Sequence, residues 1–419
     1  MVTLITPNSV IYILRFIITW LFLDYIGQSR VATLVLAYGT FMFFSQISFR
    51  YEPLNGGDEL FLLDPAKNQN ISSACMILEK DDFNAFYQHF LRQTKKHWKE
   101  TAKFRKRIVR YFGKYYLKKI KNLAYRDYVI KSDRVLVNEG ELQREAGFLL
   151  RKGFDPKKAR WQFVHYSLKD GRAAVIMNFH QCYADGLSFI TYCASFTDTP
   201  QNTKLLETSR PSMWHKMGVF LLLPIFAIYY GVKTKFTDRS TDVRSPFKSV
   251  SLSGKKKTAV SKPICLKAVK NRASKLNVKV HDVLLAAFCQ SVTNLYKNQL
   301  GSTEELPEYL RVLLPLPMRN LPRNRKMLPL TNNQSLLSVD LKIAIGKDEK
   351  YTDLIKELRE DLENHPDAYL LHCLQRYLCM FPDQYSKKIF KKFTNAVDMV
   401  LVNCPGFWQK ASFGGNPIQ

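Results

Sequence analysis

The chain has 419 residues, 46% of them hydrophobic, which is enough for two packed domains with cores of ordinary size. Its 63 Lys and Arg against 36 Asp and Glu give a formal charge of +27, so polyanions are the favoured partners. No zinc-finger spacing, RNP-like aromatic motif or basic heptad helix accompanies that charge, which sets nucleic acid aside in favour of an anionic lipid surface or a phosphate-bearing ligand. The eight cysteines are scattered without a C-x-x-C pair and mostly flanked by apolar residues. They read as buried thiols of a reducing compartment, with neither a disulfide framework nor a metal site implied. The sequons at Asn70 and Asn333 are of a kind common enough by chance not to change that reading.

In chain order, the first feature is a pair of apolar segments, 9–26 with Arg15 and Asp24 inside it and 31–49 without charge. As a helix the second is about 28 Å long, close to a hydrocarbon core of ~30 Å. With the break at Gly27-Gln28-Ser29-Arg30, residues 1–50 are expected to form a transmembrane helical hairpin that leaves both ends on one side. Two buried core helices are the other reading. After Pro53-Leu54 and the acidic pair Asp58-Glu59, a short strand is expected over 75–79 and a helix over 83–98 with Phe86, Phe90 and Leu91 on one face. The run 95–121 interleaves Lys and Arg with aromatics, which suits either a surface against lipid headgroups or a solvated basic helix.

A helix follows at 141, with Leu142, Ala146, Leu149 and Leu150 on one side, then Phe154-Asp155-Pro156. Strands are expected over 161–168 and 172–179, joined by the turn residues Lys169-Asp170-Gly171. The second strand runs into Asn178-Phe179-His180-Gln181-Cys182-Tyr183-Ala184-Asp185-Gly186, and a helical pattern resumes over 188–195. A crossover over 197–257 carries an apolar stretch, 217–232, with Pro224 inside and Lys216, Lys233 and Lys235 at its ends. It reads as an interfacial or re-entrant helix, or else as a buried core helix. Beyond it come a helix from Val280-His281-Asp282, a strand over 310–319 that ends in Pro315-Leu316-Pro317-Met318-Arg319, and a strand over 399–406 that ends in Asn403-Cys404-Pro405-Gly406.

In this order the segments from Pro53 to Gly406 resemble the wax ester synthase and diacylglycerol acyltransferase family, whose signature is HHxxxDG. The resemblance implies an α/β fold of two CoA-dependent acyltransferase-like domains behind the hairpin. The expected division is 1–50 hairpin, 51–200 first domain, 201–258 crossover and 259–419 second domain. That second domain is expected to be truncated, because the family continues through further strands where this chain stops. The resemblance implies transfer of an acyl group from acyl-CoA to a long-chain alcohol or diacylglycerol, with no cofactor. It places His180, Gln181, Asp185 and Gly186 at the catalytic motif, Asp185 holding the loop and Gly186 letting the backbone turn, and Arg319, Asn403, Pro405 and Gly406 at the substrate.

One position departs from the pattern: Gln181 stands where the family has the histidine that takes the proton from the attacking alcohol. An amide cannot act as that base. His180 is adjacent, and neighbouring side chains of an extended strand end point to opposite faces, so it reads as a core histidine bonded to backbone. His281 lies beside Asp282 at an expected helix start, where Asp reads as an N-terminal anion, and His165, His372 and the Ser-rich stretches form no nucleophile elbow or metal spacing. The chain is therefore expected to be an acyltransferase-lineage protein with impaired turnover, or a non-catalytic structural or lipid-binding subunit of a membrane complex. Membrane lipids, an anionic lipid surface, acyl-CoA and the subunits of such a complex are its expected partners. The expected location is integral to an endoplasmic reticulum or lipid-droplet-related membrane, or alternatively the mitochondrial inner membrane.

Overall fold

A computed structural model describes residues 51–63, 69–111, 114–198, 212–236, 253–300, 309–319, 327–342, 368–379, 383–395, 397–402 and 410–418. The first half runs β1 (Glu52–Pro53), α1 (Gly56–Glu59), β2 (Ile71–Leu78), α2 (Phe83–Lys96), β3 (Lys106–Tyr111), β4 (Lys114–Lys119), β5 (Val129–Leu136), α3 (Glu139–Lys152), β6 (Trp161–Leu168), β7 (Ala173–His180) and α4 (Gly186–Phe196). The second half runs α5 (Met213–Phe236), α6 (Leu266–Lys275), α7 (Val280–Leu300), β8 (Tyr309–Pro317), β9 (Gln334–Lys342), α8 (Ala368–Leu378), α9 (Asp383–Asn395), β10 (Met399–Val400), β11 (Ser412–Phe413) and β12 (Asn416–Pro417).

β6 and β7 form an antiparallel hairpin at the centre of a four-stranded sheet of order β2-β7-β6-β5. The turn works because Gly171 adopts a φ of 86°, a conformation that costs a residue without a Cβ little. β7 is buried at all its positions, as a central strand with helices on both faces must be. Its odd residues Ala173, Val175, Met177 and Phe179 enter one core, and Ala174 and Ile176 the other. α3 covers the second face through Leu142 and Leu149, and its N-terminus is capped by Asn138, which accepts from Glu141 N at 3.0 Å. On the first face, Phe86 and Phe90 of α2 and Phe189, Tyr192 and Phe196 of α4 enter the same core as Trp161. The Trp161 ring stacks on Phe104 at 4.6 Å and Tyr128 at 4.9 Å, and its indole N–H donates to Phe104 O at 3.0 Å, so its one polar atom is satisfied in the core.

In the second half β8 lies between β9 and β10, antiparallel to the first and parallel to the second. Alternation divides these strands as well. Leu310, Val312, Leu314, Leu337, Val339 and Leu341 pack with Leu285 and Cys289 of α7, while Leu313 and Leu336 turn into the core that contains Trp161. That core also takes in Met327, Leu330, Cys379 and Phe413, so the two halves share apolar interior. The hairpin of β11 and β12 docks on the first half: Phe413 stacks on Phe86 at 5.0 Å, and the Asn416 side chain accepts from Lys80 N at 3.0 Å while donating to Lys80 O at 2.6 Å.

Several expectations need correction. Among the described residues no helix is long and apolar enough to cross a membrane, which overturns the assignment to an integral membrane protein of the endoplasmic reticulum, lipid-droplet-related or mitochondrial inner membrane. The transmembrane helical hairpin expected over 1–50 lies outside the described residues and drops out of the fold class. The apolar stretch of α5, 217–232, would cover only ~24 Å as a helix, short of the ~30 Å a span requires. Nor is α5 a buried core helix, since Val219 is 6% exposed but Trp214 80% and Leu221 71%. The basic run after Trp98 is an antiparallel β3–β4 hairpin and not a helix, because Ile108 and Leu117 alternate into the core between the charged positions. Of the cysteines, Cys75 and Cys265 are exposed, while Cys182, Cys289 and Cys379 are buried.

Candidate active site

The last residue of β7, His180, is fully buried, and its Nδ1 accepts from Cys182 N at 3.3 Å, capping a single 3₁₀ turn over Gln181–Tyr183. One ring nitrogen, Nδ1, is thus engaged by backbone at the point where the strand ends. Gln181 is fixed at both backbone ends: its N–H donates to Asn70 O at 2.8 Å and its carbonyl accepts from Asn332 Nδ2 at 2.6 Å. Its side-chain Oε1 accepts from the Ser72 hydroxyl. From His180 to Asp185, Gln181 alone is not buried. Tyr183 is 1% exposed; its hydroxyl donates to Lys106 O at 2.8 Å and accepts from Arg160 N at 3.1 Å, and burial pushes its phenol well above the usual range.

Asp185, 1% exposed, caps α4. It accepts from Ser188 N at 2.7 Å, Ser188 Oγ at 2.6 Å, Asn333 N at 2.9 Å and Arg319 Nη2 at 2.8 and 3.0 Å. Arg319 also donates to Thr331 O at 2.9 Å, so the guanidinium expected at the substrate is engaged by the motif and by the segment before β9. Gly186 opens α4 and is not among the glycines with positive φ, so the sharp turn expected there is instead made by the 3₁₀ turn before it. Asn403, Pro405 and Gly406 lie outside the described residues.

A second carboxylate, unforeseen in the sequence, completes the arrangement. Asp58 of α1, 1% exposed, pairs with Lys103 Nζ at 2.6 Å and accepts from Asn332 N at 2.6 Å and Asn332 Nδ2 at 3.0 Å. Lys103 reaches on to the carbonyls of Cys182 and Tyr183, both at 3.1 Å. Asn55 donates to Thr331 Oγ1 at 2.8 Å and accepts from Arg376 Nη2 at 2.6 Å; burial draws that arginine below its ordinary range. The triplet Thr331-Asn332-Asn333 is therefore held between two buried carboxylates, each compensated by a cation, as burial of charge requires. Gly57 is needed at this contact, because a Cβ there would lie 2.5 Å from the Asn332 carbonyl oxygen.

Of the expected site residues, the structure brings together His180, Gln181, Asp185, Gly186 and Arg319. Sequence reasoning missed Asp58, Lys103, Ser72 and Asn332. A polar triplet between the apolar 327–330 and 336–337 was a signal in principle, since asparagines so placed must find partners.

No family model matches the sequence, and no curated protein matches it. Solved structures do share its fold. The wax ester synthase/diacylglycerol acyltransferase from Marinobacter aquaeolei VT8 is 15% identical over 88% of this chain and 85% of that one, with a TM-score of 0.56. The first condensation domain of the calcium-dependent antibiotic synthetase, in complex with a substrate analogue, is 13% identical over 88% and 84%, with a TM-score of 0.53. A mutant starter condensation domain of rhizomide synthetase, in complex with C8-CoA, is 11% identical over 90% and 83%, with a TM-score of 0.51. The chain has a CoA-dependent acyltransferase-like fold; at these identities the likeness is one of fold.

Proposed function

We propose that this is an acyltransferase-lineage protein that binds an acyl-CoA at the 180–186 loop and transfers the acyl group to a long-chain alcohol or diacylglycerol slowly or not at all. The observation that carries this reading is the state of residue 181. The loop is held by the Asp185–Arg319 pair, yet the half-buried side chain at its turn is an amide whose oxygen already accepts from Ser72. An amide supplies no lone pair basic enough to deprotonate an alcohol near pH 7. His180 would have to leave a fully buried position and break its bond with Cys182 N to replace it.

The test is acyl transfer by the purified chain, with labelled acyl-CoA and either acceptor, beside Gln181→His and His180→Ala. Turnover near background is expected in the natural sequence, with His180→Ala making little difference. Restoring the imidazole is expected to raise turnover toward the ~10²- to 10⁴-fold that base catalysis contributes. Robust natural turnover abolished by His180→Ala would overturn the reading.

A lipid-binding role without any transfer is favoured by a separate observation, the apolar outer side of α5. There Met213, Trp214, Met217, Leu221 and Ile225 are all exposed, 46% or more, a patch that suits lipid or an apolar partner. Lipid extraction and mass spectrometry of the purified chain distinguish the two, since this second role requires a stoichiometric bound lipid other than acyl-CoA.

A further inference from the structure

Gln181 is held in a way that gives its amide a definite orientation. Its Oε1 accepts from the Ser72 hydroxyl, which leaves Nε2 as the amide atom not engaged by that contact. Among the described residues Nε2 has no acceptor. The backbone cannot rotate to supply one, because the N–H is bonded to Asn70 O at 2.8 Å and the carbonyl to Asn332 Nδ2 at 2.6 Å. Asn332 is itself held, since it is 1% exposed and its backbone N–H and one side-chain hydrogen are both given to Asp58. Three separated parts of the chain therefore act on this residue: β2 through Ser72 on the side chain, the segment before β9 through Asn332 on the backbone carbonyl, and the segment at Asn70 on the backbone N–H.

A neutral imidazole at this position would offer an acceptor to an incoming hydroxyl. The fixed amide offers the reverse, two N–H hydrogens, while its oxygen already accepts from Ser72. The group in an acyl thioester that matches such a donor is the carbonyl oxygen. The thiol ester sulfur is a weak acceptor, and the alkyl chain is none. We infer that Gln181 is a hydrogen-bond donor to the carbonyl oxygen of a bound acyl thioester, with Ser72 as the residue that positions it. The inference rests on the proposed acyl-CoA binding and assigns the exchanged motif residue a binding role in place of a proton-transfer role. Rigid donors cost no reorganisation when the ligand arrives, so the contact contributes to recognition even where no chemistry follows.

The test compares two ligands that differ only at the carbonyl, hexadecanoyl-CoA and its thioether counterpart S-hexadecyl-CoA, titrated against the natural chain, Gln181→Met and Ser72→Ala. Methionine keeps the length of the side chain and removes both donors. Hexadecanoyl-CoA is expected to bind Gln181→Met roughly 3- to 10-fold more weakly, the value of one neutral hydrogen bond, while the thioether binds both proteins equally. Ser72→Ala, which frees the amide to turn, is expected to show a smaller loss with the same ligand selectivity. The carbonyl stretch of ¹³C-labelled thioester is expected to shift to lower frequency on binding the natural chain and to stay put in Gln181→Met. Equal losses for both ligands, or no loss for either, overturn the inference and leave the proposed acyl-CoA binding standing. Failure of the natural chain to bind either ligand overturns both.

Discussion

Asp185→Asn is the perturbation that most directly tests how the motif loop is held. The exchange conserves shape but turns one oxygen into a donor, and neither orientation of the amide is tolerated. With NH₂ at the Oδ1 position it faces Ser188 N and Oγ, at 2.7 and 2.6 Å; at the Oδ2 position it faces Asn333 N at 2.9 Å. Arg319 Nη2 lies 2.8 and 3.0 Å from the two oxygens and meets the new donor in either case. Arg319 is also left without its counterion while only 13% exposed. Breaking such a buried pair costs about 3–5 kcal/mol. Arg319 keeps the Thr331 carbonyl at 2.9 Å, which places the expectation at the lower end, about 3 kcal/mol.

The assay is urea unfolding followed by tryptophan fluorescence and far-UV circular dichroism together, because coincident transitions are what license a single free energy in a chain of this size. At a slope of about 3 kcal/mol per molar, the midpoint is expected to fall by about 1 M. Arg319→Met closes the cycle: in that background Asp185→Asn is expected to cost less, with a coupling above ~1 kcal/mol. An unchanged midpoint, or additive single and double variants, would refute the claim that these groups form one unit.

Gly57→Ala would push a Cβ to within 2.5 Å of the Asn332 carbonyl oxygen, a backbone atom that cannot turn aside. The expected cost is about 1–3 kcal/mol by urea unfolding, together with weaker hexadecanoyl-CoA binding as Asn332 shifts from Gln181; unchanged values in both would mean the contact is loose. Burial beneath β9, with Arg376 nearby, holds His372 down to about 4 against an ordinary 6.5. Between those two values the unfolded chain binds a proton that the folded chain refuses, so stability falls as pH drops from 6.5 toward 4, by up to about 3 kcal/mol from this group. His372→Gln is expected to flatten that loss when unfolding midpoints at pH 7 and pH 5 are compared, and an equally steep loss in the variant would exclude His372 as a source.

Much of the first half was legible because its signals are local. The hairpin of β6 and β7 follows from two apolar runs and the Lys169-Asp170-Gly171 turn, and it lies within a residue of where it was expected. The helices α2 and α3 follow from apolar spacing near 3.6 and carry capping residues Asp82 and Asn138 at their starts. The motif's position at a strand end was legible for the same reason. What the tertiary structure alone decided is which distant group each polar residue meets. β2 begins at Ile71, four residues before the expected start, because Ile71 pairs with His180 across the sheet. The basic run after Trp98 is a hairpin because its facing residues Ile108 and Leu117 are drawn into the core. Asp58 and Asn332 are 274 positions apart, and Arg319 finds Asp185 across 134. Periodicity and capping are properties of neighbouring residues and can be read in a window. The partner of a buried charge is chosen by which surfaces pack together, since each such group must be compensated where it lands, and no stretch of sequence records where that will be.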